Sequence, residues 1–403
     1  MTNPRHAPEV SLRLAGDAAP AELRASLTSA RLETSFGAAD RVELSLVNEQ
    51  LRWLDHPLLK LDTELVLALG YAPDPHEQLF VGEVVGQQAS FPSSGVPMLM
   101  VSAQDRRVRM QEGKKKRTFG IPTGTTTAPI PDLDISAFVA GENLLVPEFD
   151  PVGAALSMIL GGATALAGFE SGALQETVRH QSRETDFDFL GRLCAENGWD
   201  MFVDHSDPLG GHKLRFFSPL SHLSPDLELA WGRSLLDFTP KITKVGQVAS
   251  VTAYVWIGRI KQAFAITVGF DWDRLQLTLD VGSASMPASA HGQDVVIERP
   301  LNPVTAPREI IGRLLPKLNS RLTGAGTCVG DPRIRPGAVI KMEGLGVQFS
   351  GFYRVTSAVH TLDGSGYRTG FQVRKEIWFG SIPAPAQSAV RVQGGLLSLP
   401  AGG

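Results

Sequence analysis

The chain of 403 residues contains only two cysteines, Cys194 and Cys328, far apart and without metal-type spacing, so neither a disulfide framework nor a zinc site is implied. The sequence has no G-x-S-x-G elbow, no H-E-x-x-H, no P-loop and no G-x-G-x-x-G. No catalytic residue, cofactor or metal is therefore assigned. Charge of one sign is not in excess: the net charge is -4 with 20% charged residues, which disfavours nucleic-acid binding through a bulk positive field. The N-terminus MTNPRHAPEVSLRLAG lacks the continuous apolar run of a secretory signal, which makes bacterial cytoplasm the expected place of synthesis.

What is present begins with strand alternation. DRVELSLVN at 40–48 and ELVLALGY at 64–71 alternate apolar and polar residues, as half-buried strands do. Strand-like VASVTAYVWIG at 248–258 and AFAITVGF at 263–270 return later in the chain, which predicts a discontinuous domain. A helix interrupted by Pro316 is expected at 305–322, strands follow to 378, and the Pro/Gly/Ser-rich tail 379–403 reads as extended. The uncharged stretch 152–169 reaches the lower length limit for a membrane helix, but its four glycines favour a broken, buried or interface segment.

The best-punctuated segment is 182–199, SRETDFDFLGRLCAENGW. Thr185 can cap a helix with Asp188 three residues on, and Asp186 and Asp188 suit the positive end of the helix dipole. Phe187, Leu190, Leu193 and Cys194 form an apolar stripe, Arg192 and Glu196 fall opposite it, and Gly198 is the left-handed stop. Trp199, Met201 and Val203 then alternate into a strand, and LRFFSP at 214–219 follows the turn-rich HSDPLGGHK. A helix packed on a hairpin results, with Phe187, Leu190, Leu193 and Trp199 as its core.

This helix-hairpin element resembles one in the phage late control D family, the hub proteins of contractile tails, and in the hub half of type VI secretion spike proteins. Further pieces resemble the family in order. They are LFVGEVVGQQASF at 79–91, MLMVSAQDRRVRM at 98–110, GKKKRTFG at 113–120, LAWGRSLLDFTPKI at 229–242, CVGDPRIRPGAVIKMEGLG at 328–346 and FSGFYRVTSAVHTLDGSGYRTGFQVRK at 349–375. The resemblance implies a mainly β, α+β fold with two similar small tube-type β-barrels and the helix-hairpin insert. The first barrel would cover 1–110, completed by part of 235–280; the insert 111–234, with helix 185–197 and hairpin 199–219; the second barrel 290–378. It further implies a homotrimeric baseplate hub of a phage tail, tailocin or extracellular injection system. Such a hub adapts a hexameric inner tube to a separate threefold spike and meets other baseplate components, touching a membrane only through the assembled particle. A carbohydrate-active or receptor-binding β-protein with a helical insert is the alternative.

Among single residues, the basic run Lys114, Lys115, Lys116 and Arg117 is either a solvated loop or a docking element for acidic groups on a partner. Asp271 and Asp273 could share a strand face, as acid pairs of glycoside hydrolases do, but a turn role is the plainer reading. His205, His212 and His360 read as ordinary polar positions, and Asp105 as a turn-forming or interface residue.

Overall fold

The computed structural model describes residues 7–124, 126–151, 178–207, 211–218, 224–242, 250–257, 262–271, 276–283, 295–301, 321–376 and 390–391, with single positions at 154, 157, 158, 310, 313 and 319. The chain is mainly β. Most of the segment 152–169, Asp273, most of the expected helix 305–322 and nearly all of the tail lie outside the described residues. Among the described residues no helix is long and apolar enough to cross a membrane.

One sheet dominates. Its path runs from Leu235–Ile242 through Leu322–Val329, Gly366–Arg374, Gly351–Asp363, Leu27–Ser35, Arg41–Val47, Met98–Gln104, Glu77–Ser90 and Glu64–Ala72 to Ala7–Leu14 and its two-residue partner Asp17–Ala18. Among the described residues this path does not close into a barrel. The units expected as two barrels instead share one continuous sheet, and each retains its own core. In the first, Val42, Leu44 and Leu46 face Leu65, Leu67 and Leu69 and Leu99 and Val101, all at most 1% exposed. The period-two pattern dictates this, because every second side chain points to the same face. The second core gathers Leu322, Cys328, Ile340, Tyr353, Val355 and Phe371.

The strand Gly351–Asp363 joins the two units by changing partner along its length. Its start pairs with Val339–Glu343, from Met342↔Gly351 to Val339↔Arg354. Its end pairs with Leu27–Ser35, from Ser357↔Ser35 to Leu362↔Ala30. The changeover coincides with a bulge between Val355 and Ser357, the local device by which a strand bends away from one neighbour. The return of 235–280 runs differently from the sequence expectation. Leu235–Ile242 pairs with Leu322–Val329 in the second unit rather than with the first. Ser250–Ile257, Gln262–Asp271 and Gln276–Ser283 form a separate sheet with Val295–Leu301 and Val390–Arg391. Strand propensity locates strands but carries no information about which distant edge they meet.

The insert carries a third core and a three-stranded sheet in which Val146–Phe149 runs parallel to Lys213–Phe217, itself antiparallel to Asp200–Asp204. Its helix spans Asp186–Asn197, with the Thr185 side chain accepting the Asp188 N–H and Gly198 left-handed at φ 68°. Leu190, Leu193 and Trp199 are buried as expected, with Trp199 beside Phe149 and Phe216. Phe187 is only half-buried; Phe189 occupies the innermost position, fully buried and stacked on Phe119 at 5.1 Å between centroids. The stripe is thus rotated to include Asp186, Phe189, Leu193 and Asn197. Arg192 and Glu196 are half-buried and paired, Arg192 with Glu184 at 2.7 Å and Glu196 with Arg179 at 2.5 Å. Thr185→Ala should cost about 1 kcal/mol, read as faster amide exchange confined to the first turn of this helix.

Candidate functional site

The three units meet through two polar centres. The first begins at Asp105, which follows the strand Met98–Gln104 and is fully buried. Its Oδ1 accepts the Arg107 N–H at 2.7 Å, forming the turn that the sequence suggested. Its Oδ2 accepts from the Asp40 N–H at 2.9 Å and from Arg107 Nε and Nη2 at 2.9 and 2.8 Å. Asp40, at the start of the next strand over, accepts from the Ser35 N–H at 2.9 Å and pairs with Arg107 at 2.6 Å. Arg107 is itself wholly buried and spends Nη1 on the Ser35 carbonyl at 3.0 Å. Burial penalises its charge, but Asp105 and Asp40 outweigh that penalty and hold its pKa above the ordinary arginine value.

His205 closes this centre from the insert. The hairpin loop carries it into the first unit, where its Nδ1 accepts the Val81 N–H at 3.1 Å. Nε2 therefore bears the hydrogen and donates to Asp40 Oδ2 at 2.9 Å. Its carbonyl accepts from Gln78 at 2.6 Å, and its ring lies 5.3 Å from that of Phe80. Six residues on, Gly211 (φ +73°) sits so close that a Cβ would fall 2.7 Å from Val81 Cβ.

Asp40, Asp105 and His205 place their donor atoms close enough to suggest a cation site. The chemistry argues otherwise. Asp105 Oδ2 already takes three donors, His205 Nδ1 is engaged by backbone, and the guanidinium of Arg107 occupies the position between the carboxylates. A metal would have to displace a buried arginine and strand it. The arrangement is a latch between insert and first unit, with arginine as its resident cation.

The second centre joins all three units. Phe36 of the first unit lies 5.8 Å from Phe202 and 5.2 Å from Phe217 of the insert. From the second unit, Arg374 lies over Phe36 at 5.6 Å and Arg354 over Phe217 at 4.9 Å, geometry suited to cation–π attraction. Glu376 pairs with both arginines at 2.5 and 2.6 Å, and Arg374 reaches Asp200 of the insert. Gly337 (φ +88°) leaves room for the Phe202 ring, whose Cζ would lie 2.7 Å from an added Cβ. Beside this centre a cleft of about 330 Å³ is lined by Phe149, Phe216, Arg215 and Arg354 among others.

The basic run divides by strand alternation. Lys115 and Arg117, half-buried in the strand Lys115–Thr123, reach Asp186 in the first turn of the insert helix, both at 2.6 Å. Arg117 also pairs with Glu142 and with Gln181. Burial raises the Asp186 pKa, but hydrogen bonds from Lys115, Asn143 and Gln181 and the charge of Arg117 more than offset it, leaving Asp186 below the usual carboxylate range. Lys114 and Lys116 are exposed. Cys194 and Cys328 are buried free thiols. His360 is buried in the strand that joins the units, and His212 is half-buried with its pKa lowered by burial and by Arg106. Asp271 ends the strand Gln262–Asp271. Sequence reasoning missed Asp40 and Arg107. The available signal was the D-x-R pair at 105–107, placed directly after a strand with no charge of its own.

Three solved structures share this architecture over nearly the whole chain. The 43 kDa tail protein of prophage MuSo2 from Shewanella oneidensis superposes with a TM-score of 0.60 at 11% identity, covering 91% of this chain and 98% of that one. A tail protein from Neisseria meningitidis MC58 gives 0.56 at 11% identity, with coverage of 94% and 99%. The E. coli c3393 protein, a type VI secretion component similar to T4 tail proteins gp27 and gp5, gives 0.56 at 12%, with coverage of 93% and 80%. The chain therefore has the fold of phage tail and type VI secretion tail proteins. A family model described as the Alg8 N-terminal domain matches residues 165–364. That span starts within the insert and stops in the turn before the strand Gly366–Arg374, so it does not coincide with a folding unit. A search of curated proteins finds no match.

Proposed function

We propose that this chain is the structural hub of a contractile injection baseplate, a homotrimer that sits between a hexameric inner tube and a separate threefold spike. It belongs by resemblance with the late control D proteins and acts by geometry, without catalysing a reaction. The observation that carries the reading is the length of the structural likeness: almost the entire chain, insert included, is accounted for by the fold of tail proteins. The two inter-unit centres support it, because their buried ion pairs are internally satisfied and make a stiff frame, as a part that transmits load requires.

The test is the mass of the purified protein together with its presence in isolated particles. A trimer found beside tube and spike proteins is expected; a monomer under all conditions that binds or cleaves glycan would sink the reading. The glycan alternative has one observation in its favour, the aromatic-lined cleft with Glu148 and Asp150 on its wall. Glu148 is held by Arg215 at 2.5 Å and Lys213 at 3.5 Å, which weakens it as a free acid or base.

Within the hub reading, Lys114 and Lys116 are the docking half of the basic run, while Lys115 and Arg117 brace the insert helix. Replacing Lys114 and Lys116 with glutamine should leave the melting temperature within a degree or two and reduce recovery of the protein in particles. Replacing Lys115 and Arg117 should instead destabilise the insert. Unchanged recovery of the Lys114/Lys116 variant would return that face to plain solvation.

A further inference from the structure

The hairpin formed by Glu77–Ser90 and Met98–Gln104 has an unusual composition. From residue 84 to residue 104 it carries no Lys, Arg, Asp, Glu or His, in a chain with 20% charged residues. It also outruns its neighbour. Glu64–Ala72 pairs with the first strand only as far as Glu64↔Glu83, whereas the hairpin continues to Ser90↔Met98. A bulge between Val84 and Gly86 marks the point where the strand leaves that neighbour. Beyond it, residues 85–90 pair only with their hairpin partner, apart from the Gln87 side chain, which reaches the Leu59 carbonyl. The outer edge of 85–90 therefore pairs with no strand of the described chain. Val85, Phe91 and Val96 are 42%, 61% and 44% exposed, and Gln88 and Ser90 are exposed with them.

Exposed strand edges template further pairing, and soluble proteins ordinarily guard them with charge, above all lysine. This edge has no such guard and adds apolar side chains at its tip. Elsewhere the same chain places charge freely on its outer positions, as in Arg31, Glu33, Arg41 and Glu43 of the adjoining strands. We propose that the edge 85–90 and the tip 91–96 are an interface that accepts an extended, uncharged β-segment of a neighbouring subunit, which adds as a further strand. Charge complementarity selects that occupant. Main-chain donors and acceptors of the edge are satisfied by another strand, while a charged segment would lose its hydration against a surface that offers no counter-ion. The tail-protein reading enters only in saying where the neighbouring subunit comes from.

Both native cysteines are buried, so Gln88→Cys introduces the accessible thiol needed for a short photo-cross-linker. In assembled particles, label at 88 should cross-link to one peptide free of charged residues. Label at an exposed site on the same unit, Leu61→Cys (58% exposed in the native chain), should not reach that peptide. Cross-links no more frequent than those from position 61, or leading into charged loops of another protein or a second copy, overturn the inference. A second arm needs no particle: a synthetic peptide of residues 85–90 is titrated onto the purified chain beside one carrying lysine in place of its second glutamine. At least tenfold weaker binding of the lysine peptide is expected. Equal binding of the two, or no binding of either, overturns the proposal. Absence of the native chain from particles would instead count against the hub reading, and the peptide arm would still decide on the hairpin.

Discussion

Arg107→Met is expected to lower the unfolding free energy by about 3–5 kcal/mol, the cost of breaking a buried ion pair by removing one partner. The methionine fills much of the space, so the loss is electrostatic rather than a cavity effect. Asp40 and Asp105 are 1% and 0% exposed, and both spend carboxylate oxygens on the guanidinium that would vanish. The measurement is a urea unfolding midpoint at neutral pH with an unchanged slope. Two further results separate this account from a general loss of packing. Adding Asp105→Asn to Arg107→Met should recover part of the deficit, because one of the stranded charges is removed. The deficit should also shrink as pH falls, because the orphaned carboxylates can then take up protons. A deficit insensitive both to pH and to the second substitution would mean that Arg107 contributes through packing alone.

The same centre shows where sequence reading stops. Local rules placed the insert helix, its Thr185 cap and its Gly198 stop to the residue, because each depends on side chains a few positions apart. The alternation in 40–48 and 64–71 likewise identified the inward faces of the first core. Partner choice depends on positions far apart in the chain, and there the reading failed. Leu235–Ile242 joined the second unit, and His205, read as an ordinary loop residue, proved to be the insert's anchor in the first. Phe189 was passed over for Phe187 because Asp186 looked like a surface residue. Only the structure shows that Lys115 and Arg117 compensate a buried Asp186 and so turn that side of the helix inward. The alternation of inward and outward basic residues was legible in principle, since residues 114–117 lead into a strand. It required knowing that this run is paired rather than looped.

The second large effect is a pH dependence carried by His360. It lies in Gly351–Asp363 opposite Leu32, in the stretch that ties the second unit to the first. The Ile334 carbonyl, 2.8 Å from Nε2, can only accept, so Nε2 carries the hydrogen. Nδ1 then accepts from the Tyr367 hydroxyl at 2.8 Å, with the Thr369 hydroxyl at 3.1 Å. Burial drives the pKa of the imidazole down to about 4, and the Ile334 carbonyl and the charge of Asp331 offset only part of that. The unfolded chain, with a histidine near 6.5, binds this proton first as pH is lowered. Stability therefore rises with pH through the window from about 4 to 6.5, and is lost on acidification through it. A separation of this size corresponds to roughly 3 kcal/mol. His360→Gln keeps a donor for Ile334 and an acceptor for Tyr367 but cannot titrate. Its unfolding free energy should be lower than that of the native chain at pH 7 yet nearly level between pH 6.5 and 4, so that the two curves converge or cross in acid. His212, lowered in the same direction, contributes to both proteins and cancels in the difference. Asp186 adds a separate loss at still lower pH, below the ordinary carboxylate range, because its folded pKa is depressed. Parallel curves for the native chain and His360→Gln across this window would show that the joint between the units does not sense acid through this side chain.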